Sequence, residues 1–192
     1  MLFILFIACV LLSGCLTAEK VDLVFFIKKG GNGTVEYHVS GIRSDEEGQK
    51  AKDEINELFE DVKKNDALGN SLQLLNYKET VAYDEQGNLN GRVYGEFTDV
   101  THLLRILSGH DKAELDKNEH FELRWKDGRL YIGINEGIKD REKDDRMRIV
   151  FRTEGMFVEG TTGEISEDRK ETELHRVNMT DLVLIIDGLE KK

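Results

Sequence analysis

Phe121-Glu122-Leu123-Arg124-Trp125-Lys126-Asp127-Gly128-Arg129-Leu130-Tyr131-Ile132-Gly133-Ile134 is the stretch that decides the fold. Phe121, Leu123 and Trp125 alternate with Glu122, Arg124 and Lys126, the period of a half-buried strand. Asp127-Gly128 supplies the two positive-φ positions of a tight hairpin turn. Leu130, Ile132 and Ile134 then return on the apolar face, and Trp125 is expected to close the core.

The same pattern recurs on both sides. Val21 to Lys28 is apolar on both faces, as a central strand would be. Gly30-Gly31-Asn32-Gly33 turns the chain, and Val35, Tyr37 and Val39 alternate with Thr34, Glu36 and His38. Leu72 to Tyr83 reads as one bent strand or two short ones, and Gly91 to Phe97 returns after the Asp84–Asn88 turn. Met147, Ile149 and Phe151 alternate with Arg146, Arg148 and Arg152. Met156–Val158, Gly163–Ser166 and Glu171–Val177 are weaker strands, and Leu182–Ile186 is a last apolar one.

Two helices interrupt the strands. Ser44-Asp45-Glu46-Glu47 has the form of a capping box. Ala51, Ile55, Leu58, Phe59 and Val62 follow as one apolar stripe on a helix over about 45–64. Asp99 can cap a second, short helix carrying Val100, Leu103, Leu104 and Leu107, stopped by Gly109. Neighbouring hairpins with two inserted helices predict an α+β domain. Its sheet is largely antiparallel, either open or folded over itself, with one long amphipathic helix and one short helix.

Upstream of all this, Met1 to Leu12 contains no charged side chain and closes on Leu12-Ser13-Gly14-Cys15. The run is too short to span about 30 Å of hydrocarbon, which takes roughly 20 apolar residues. It resembles the signal and lipobox of a bacterial lipoprotein, although no Lys or Arg precedes the apolar run. The resemblance implies cleavage before Cys15 and attachment of a diacylglycerol to its thiol. Two or more acyl chains would then hold the domain on a membrane. Leu16, and not Asp, follows the cysteine, which by the same resemblance favours an outer membrane where one exists. The expected division is a signal peptide at 1–14, the lipidated cysteine and a tether at 15–20, and a single α+β envelope domain at 21–192. The expected placement is the cell membrane or outer membrane, with the domain facing periplasm or exterior.

Cys9 and Cys15 are the chain's two cysteines, so the cleaved and acylated protein has no free thiol. All charged side chains follow Cys15, and the net charge of −11 falls on the domain. Such a surface repels phosphate backbones, so nucleic acid is an unsuitable partner. The charge itself reads as solubility; the lipobox and strand-rich core point to an anchored domain that binds a protein or an apolar ligand, or carries an apolar ligand in a cavity between the 45–64 helix and the sheet.

A second resemblance is to LppM-like lipoprotein domains. It is carried by the Val21–Val39 hairpin, the Gly-Arg-Val-Tyr-Gly-Glu-Phe-Thr-Asp stretch from Gly91 to Asp99, and the segment Val150 to Val177. Glu154-Gly155 stands where that family has Pro-Gly. The resemblance implies a non-enzymatic envelope domain with a binding role and no catalytic residues.

The search for chemistry finds no nucleophile elbow, no zinc-protease helix motif and no phosphate-cradling loop. It therefore predicts no catalytic residue, no cofactor and no metal. Three clusters stand against that reading. His110, Asp111, Glu114, Asp116, Glu119 and His120 could supply zinc ligands to a small hydrolase, but the two histidines are not an i, i+4 pair and the run contains two lysines. Asp140, Glu142, Asp144 and Asp145 lack the glycine of a calcium loop. Asp84, Gln86 and Asn88 lack its closing Glu. His38, His102 and His175 read as surface or half-buried residues. Arg146, Arg148 and Arg152 could receive an anion, though pairing with Glu171 and Glu173 is the plainer account.

Overall fold

The computed structural model describes residues 16–64, 67, 73–108, 120–135, 146–175 and 181–190. Cys15, the His110–Glu119 run and the Asp140–Asp145 cluster lie outside them.

Among the described residues there are twelve strands and two helices. In chain order these are β1 (Leu16–Thr17), β2 (Lys20–Ile27), β3 (Gly33–Ser44), α1 (Gly48–Lys64), β4 (Leu75–Tyr83), β5 (Leu89–Phe97) and α2 (Val100–Ser108). There follow β6 (Phe121–Lys126), β7 (Arg129–Asn135), β8 (Met147–Thr153), β9 (Met156–Phe157), β10 (Glu164–Ile165), β11 (Glu171–His175) and β12 (Asp181–Asp187). They form an eight-stranded sheet, ordered β10-β11-β8-β2-β3-β5-β4 with β1 added to β3, and a four-stranded sheet ordered β6-β7-β12-β9.

The expected α+β class is therefore corrected to a mostly-β fold with two separate sheets. The helices are too few and too peripheral to form a layer. The long amphipathic helix is a side element: of its apolar stripe Leu58 is buried, while Ile55, Phe59 and Val62 are half-buried against β3 and β4. Antiparallel pairing does dominate. The exception is β2 against β8, which run parallel from Val21↔Met147 to Ile27↔Thr153.

Alternation decides which face goes inward. Val21, Leu23, Phe25 and Ile27 of β2, and Val35, Tyr37 and Val39 of β3, are buried in one continuous core. The second sheet contributes Leu130, Ile132, Ile134, Leu182, Leu184 and Ile186 to the same core. Trp125, expected to close the core, is half-buried, because β6 is the edge of the small sheet.

The sheets meet at Thr153-Glu154-Gly155, where the chain leaves β8 and enters β9. The Glu154 N–H donates to the Ile27 carbonyl at 2.9 Å, and its carboxylate accepts from the Lys29 N–H at 2.7 Å. A Cβ on Gly155 would lie 2.4 Å from the Asp187 carbonyl oxygen, so only glycine lets the two backbones approach.

One edge of β12 is finished by backbone and side chains together, the Val158 and Thr162 N–H groups donating to the Ile185 and Val183 carbonyls at 3.1 and 2.7 Å. The Thr161 hydroxyl accepts from the Ile185 N–H at 3.0 Å and donates to its carbonyl at 3.2 Å. The Thr162 hydroxyl accepts from the Val183 N–H at 2.9 Å. The Thr172 hydroxyl of β11 donates to the Thr162 carbonyl at 3.0 Å, joining this edge to the large sheet.

Candidate functional site

A cleft of about 390 Å3 opens between α1 and the end of β3. Its floor is Ile42 and Leu89, both buried, with Ala51 and Ile55 of α1 and the ring of Tyr83 along its sides. Glu19, Arg43, Ser44 and Asn88 make its polar rim.

Local chemistry builds each wall. The pairing of β3 with β5 slips between Val39 and Ile42, and Gly41 takes a φ of +65° there. The Gly41 N–H donates to Asn90 Oδ1 at 3.1 Å, outside the ladder. This bulge bends β3 away from β5 and makes room for the cleft. A Cβ on Gly41 would lie 2.6 Å from Glu19 Cγ. Glu19 in turn pairs with Arg43 at 3.2 Å across the rim.

The Ser44–Glu47 stretch does not form the expected capping box. Ser44 is still extended, the register partner of Leu16 in β1. Its hydroxyl accepts from the Glu46 N–H at 3.0 Å and donates to Glu54 in the helix. The chain then enters α1 through Gly48, whose φ is +66°. Pairing with β1 holds Ser44 in strand geometry and moves the helix start to Gly48.

The opposite wall is the Asp84–Asn88 turn, read from sequence as a weak calcium loop. Asp84 Oδ1 accepts from the Gln86 and Asn88 N–H groups at 3.0 and 2.8 Å. Its Oδ2 accepts from the Asn88 and Asn90 side-chain amides at 3.1 and 3.0 Å. The Asn88 bonds, backbone first, hold the carboxyl below its ordinary value. The oxygens a cation would need are committed to the turn itself.

No described histidine lines the cleft. His102 lies on α2, where its Nδ1 accepts from the Thr98 N–H at 3.3 Å and its Nε2 donates to the Gln73 carbonyl at 3.0 Å. Burial holds its pKa below the ordinary value, which keeps that neutral tautomer. His38 meets Glu36 at 3.2 Å on the outer face of the large sheet, where Arg92 reaches the same carboxylate at 3.1 Å. Burial raises the Glu36 pKa, but the bonds from His38 and Arg92 outweigh it and the net shift is downward. His120 opens β6, and the rest of its cluster lies outside the described residues. His175 ends β11.

The arginines are paired. Arg148 Nε donates to Glu173 at 2.5 Å and Arg152 Nε to Glu171 at 2.6 Å. The Glu173 bond, the largest influence, holds the Arg148 guanidinium charged. Arg146 Nη1 reaches the Ala18 carbonyl at 3.5 Å. No group of three or more His, Cys, Asp or Glu able to hold a metal occurs among the described residues. No described helix is long and apolar enough to cross a membrane.

The sequence raised a cavity between this helix and the sheet as one reading, and a cleft opens there, but the sequence did not show what shapes it. Gly41 was the available signal, as an isolated glycine inside an alternating strand.

The cleft can shelter an apolar group on its floor and orient a polar end at the Glu19–Arg43 rim. Among the described residues no histidine lines it. No protein-family model matches the chain, and no curated protein matches it. The fold is similar to the solved folded domain of Mycobacterium tuberculosis LppM, at 11% identity and a TM-score of 0.43, over 90% of this chain and 88% of that one. It is also similar to an M1 zinc metallopeptidase from Deinococcus radiodurans, at 9% identity and a TM-score of 0.35. There 90% of this chain covers 42% of the other.

Proposed function

We propose that this protein is a lipid-anchored domain of the cell envelope, held by acyl chains on Cys15, that binds a partner and does not transform it. One observation supports this reading above the others. The uncharged run Met1–Leu12 closes on Leu12-Ser13-Gly14-Cys15, and the next residue, Leu16, is already buried and paired with Ser44.

Detergent-phase partition of the native product against Cys15→Ser tests the anchor. The native chain is expected in the detergent phase and the variant in the aqueous phase. A variant that still enters detergent would overturn the proposal.

A second reading is favoured by the cleft: the domain carries an apolar ligand between α1 and β3. Native mass spectrometry of the purified domain would show an added lipid mass under this reading. A clean apo mass, unchanged on adding fatty acid, would count against it.

A further inference from the structure

We infer that one pole of the domain rests against the bilayer that carries the anchor, with Tyr83 at the boundary between water and lipid. This rests on the acylation of Cys15 proposed above. The residues read from sequence as a tether, 15–20, leave almost no slack. Leu16 and Thr17 are register partners of Ser44 and Arg43, and the Glu19 N–H donates to the Ser40 carbonyl at 2.9 Å. Consecutive Cα atoms are about 3.8 Å apart, so an acylated Cys15 would bring the membrane to this end of the sheet.

Strand register says what else lies at that end. Ile42 pairs with Leu89, and Leu89 with Tyr83, so these three share one level of the sheet. The Asp84–Asn88 turn projects beyond it. The opposite pole is the turn after β2, where the Lys28 N–H donates to the Asn32 carbonyl at 2.8 Å. The eight residues of β2 separate the two poles by roughly 26 Å at about 3.3 Å per residue.

Tyr83 has the chemistry of such a boundary. It is 59% exposed, and its ring centroid lies 6.1 Å from that of Phe59. Tyrosine favours the interface because its ring is apolar and its hydroxyl needs a polar neighbour. The surrounding charges lean acidic, with Glu19, Asp45, Glu46, Glu47, Asp84 and Glu85 against Lys20, Arg43 and Lys50. That balance suits a zwitterionic surface better than an anionic one. The cleft lies at the same pole, so a ligand from the bilayer would meet it directly.

The test uses the full acylated chain in phosphatidylcholine vesicles whose headgroups carry a nitroxide quencher. Single cysteines are introduced as Glu85→Cys at the near pole and Lys29→Cys at the far pole, and labelled with one thiol-reactive fluorophore. An acylated Cys15 would not react, and Cys9 would leave with the leader. Intact mass is read first. Acylated protein with several-fold stronger quenching at residue 85 than at residue 29 is the expected result. Acylated protein with equal or reversed quenching overturns the orientation and leaves the anchor standing. Protein without acyl mass overturns the anchor and the orientation with it. Quenching at residue 85 that follows protein density instead of nitroxide content assigns this pole to a second copy, and overturns the inference.

Discussion

The rings of Phe25 and Phe151 stack with centroids 5.0 Å apart and planes 15° from parallel, each fully buried. They are register partners across the β2–β8 pairing, the one parallel contact among the described strands. Phe151→Ala should therefore cost about 3–5 kcal/mol, the range for removing a buried phenylalanine. Urea denaturation checks this. A loss under about 1 kcal/mol, far below that range, would mean that β8 is not seated on β2.

Gly155 predicts a backbone effect at the corner between the sheets. Gly155→Ala places a methyl 2.9 Å from Ile186 Cγ2 as well as against the Asp187 carbonyl. A loss of about 1–3 kcal/mol is expected, as for other overpacked sites. The control is Gly87→Ala, where nothing lies within 4 Å and the φ of +86° is the only strain. Near-equal melting temperatures for the two variants would refute the crowding.

His102 predicts a response to pH. Its folded pKa is depressed below 6.5, so the unfolded chain takes up its proton first. The stabilisation is then complete above pH 6.5 and is lost as pH falls through the folded value. Protonation would also set an Nδ1–H against the Thr98 N–H. Hydrogen exchange at Thr98 and around Gln73 should quicken on acidification from neutral pH. In His102→Gln that step should disappear.

Thr161 predicts an unsatisfied edge. Thr161→Val keeps the shape but leaves the Ile185 N–H without its acceptor. A cost of about 1–3 kcal/mol is expected, read by chemical denaturation. A variant as stable as the parent would show that the hydroxyl does not finish this edge.

Local pattern carried much of this fold. The β2–β3 and β6–β7 hairpins follow from alternation and a two- or few-residue turn, both encoded within a dozen neighbours. Asp99 caps α2 as its type predicts, accepting from the His102 N–H at 2.9 Å. What stayed hidden depends on partners distant in sequence. Nothing in Val21–Ile27 says that its second neighbour is Met147–Thr153, because a buried central strand shows the same apolar run whichever way its neighbour points. Thr161 and Thr162 look like loop residues until β12 lies beside them. The Ser44 cap failed for the same reason, since Leu16 competes for that residue. At the candidate cleft the helix stripe was readable and Gly41 offered a signal for the bulge, but the self-satisfied carboxylate of Asp84 gave none.

The parallel seat of β8 on β2 also orders events in time. β2 and β3 can zip together as soon as they are made, but the other margin of β2 stays bare until the chain has been extended to Thr153. Long-range closure of this kind slows folding. A ribosome-bound or truncated product ending before β8 would expose the ladder groups and aromatic rings of β2 to any passing strand. Carboxy-terminal deletions should accordingly yield insoluble protein, not smaller folded domains.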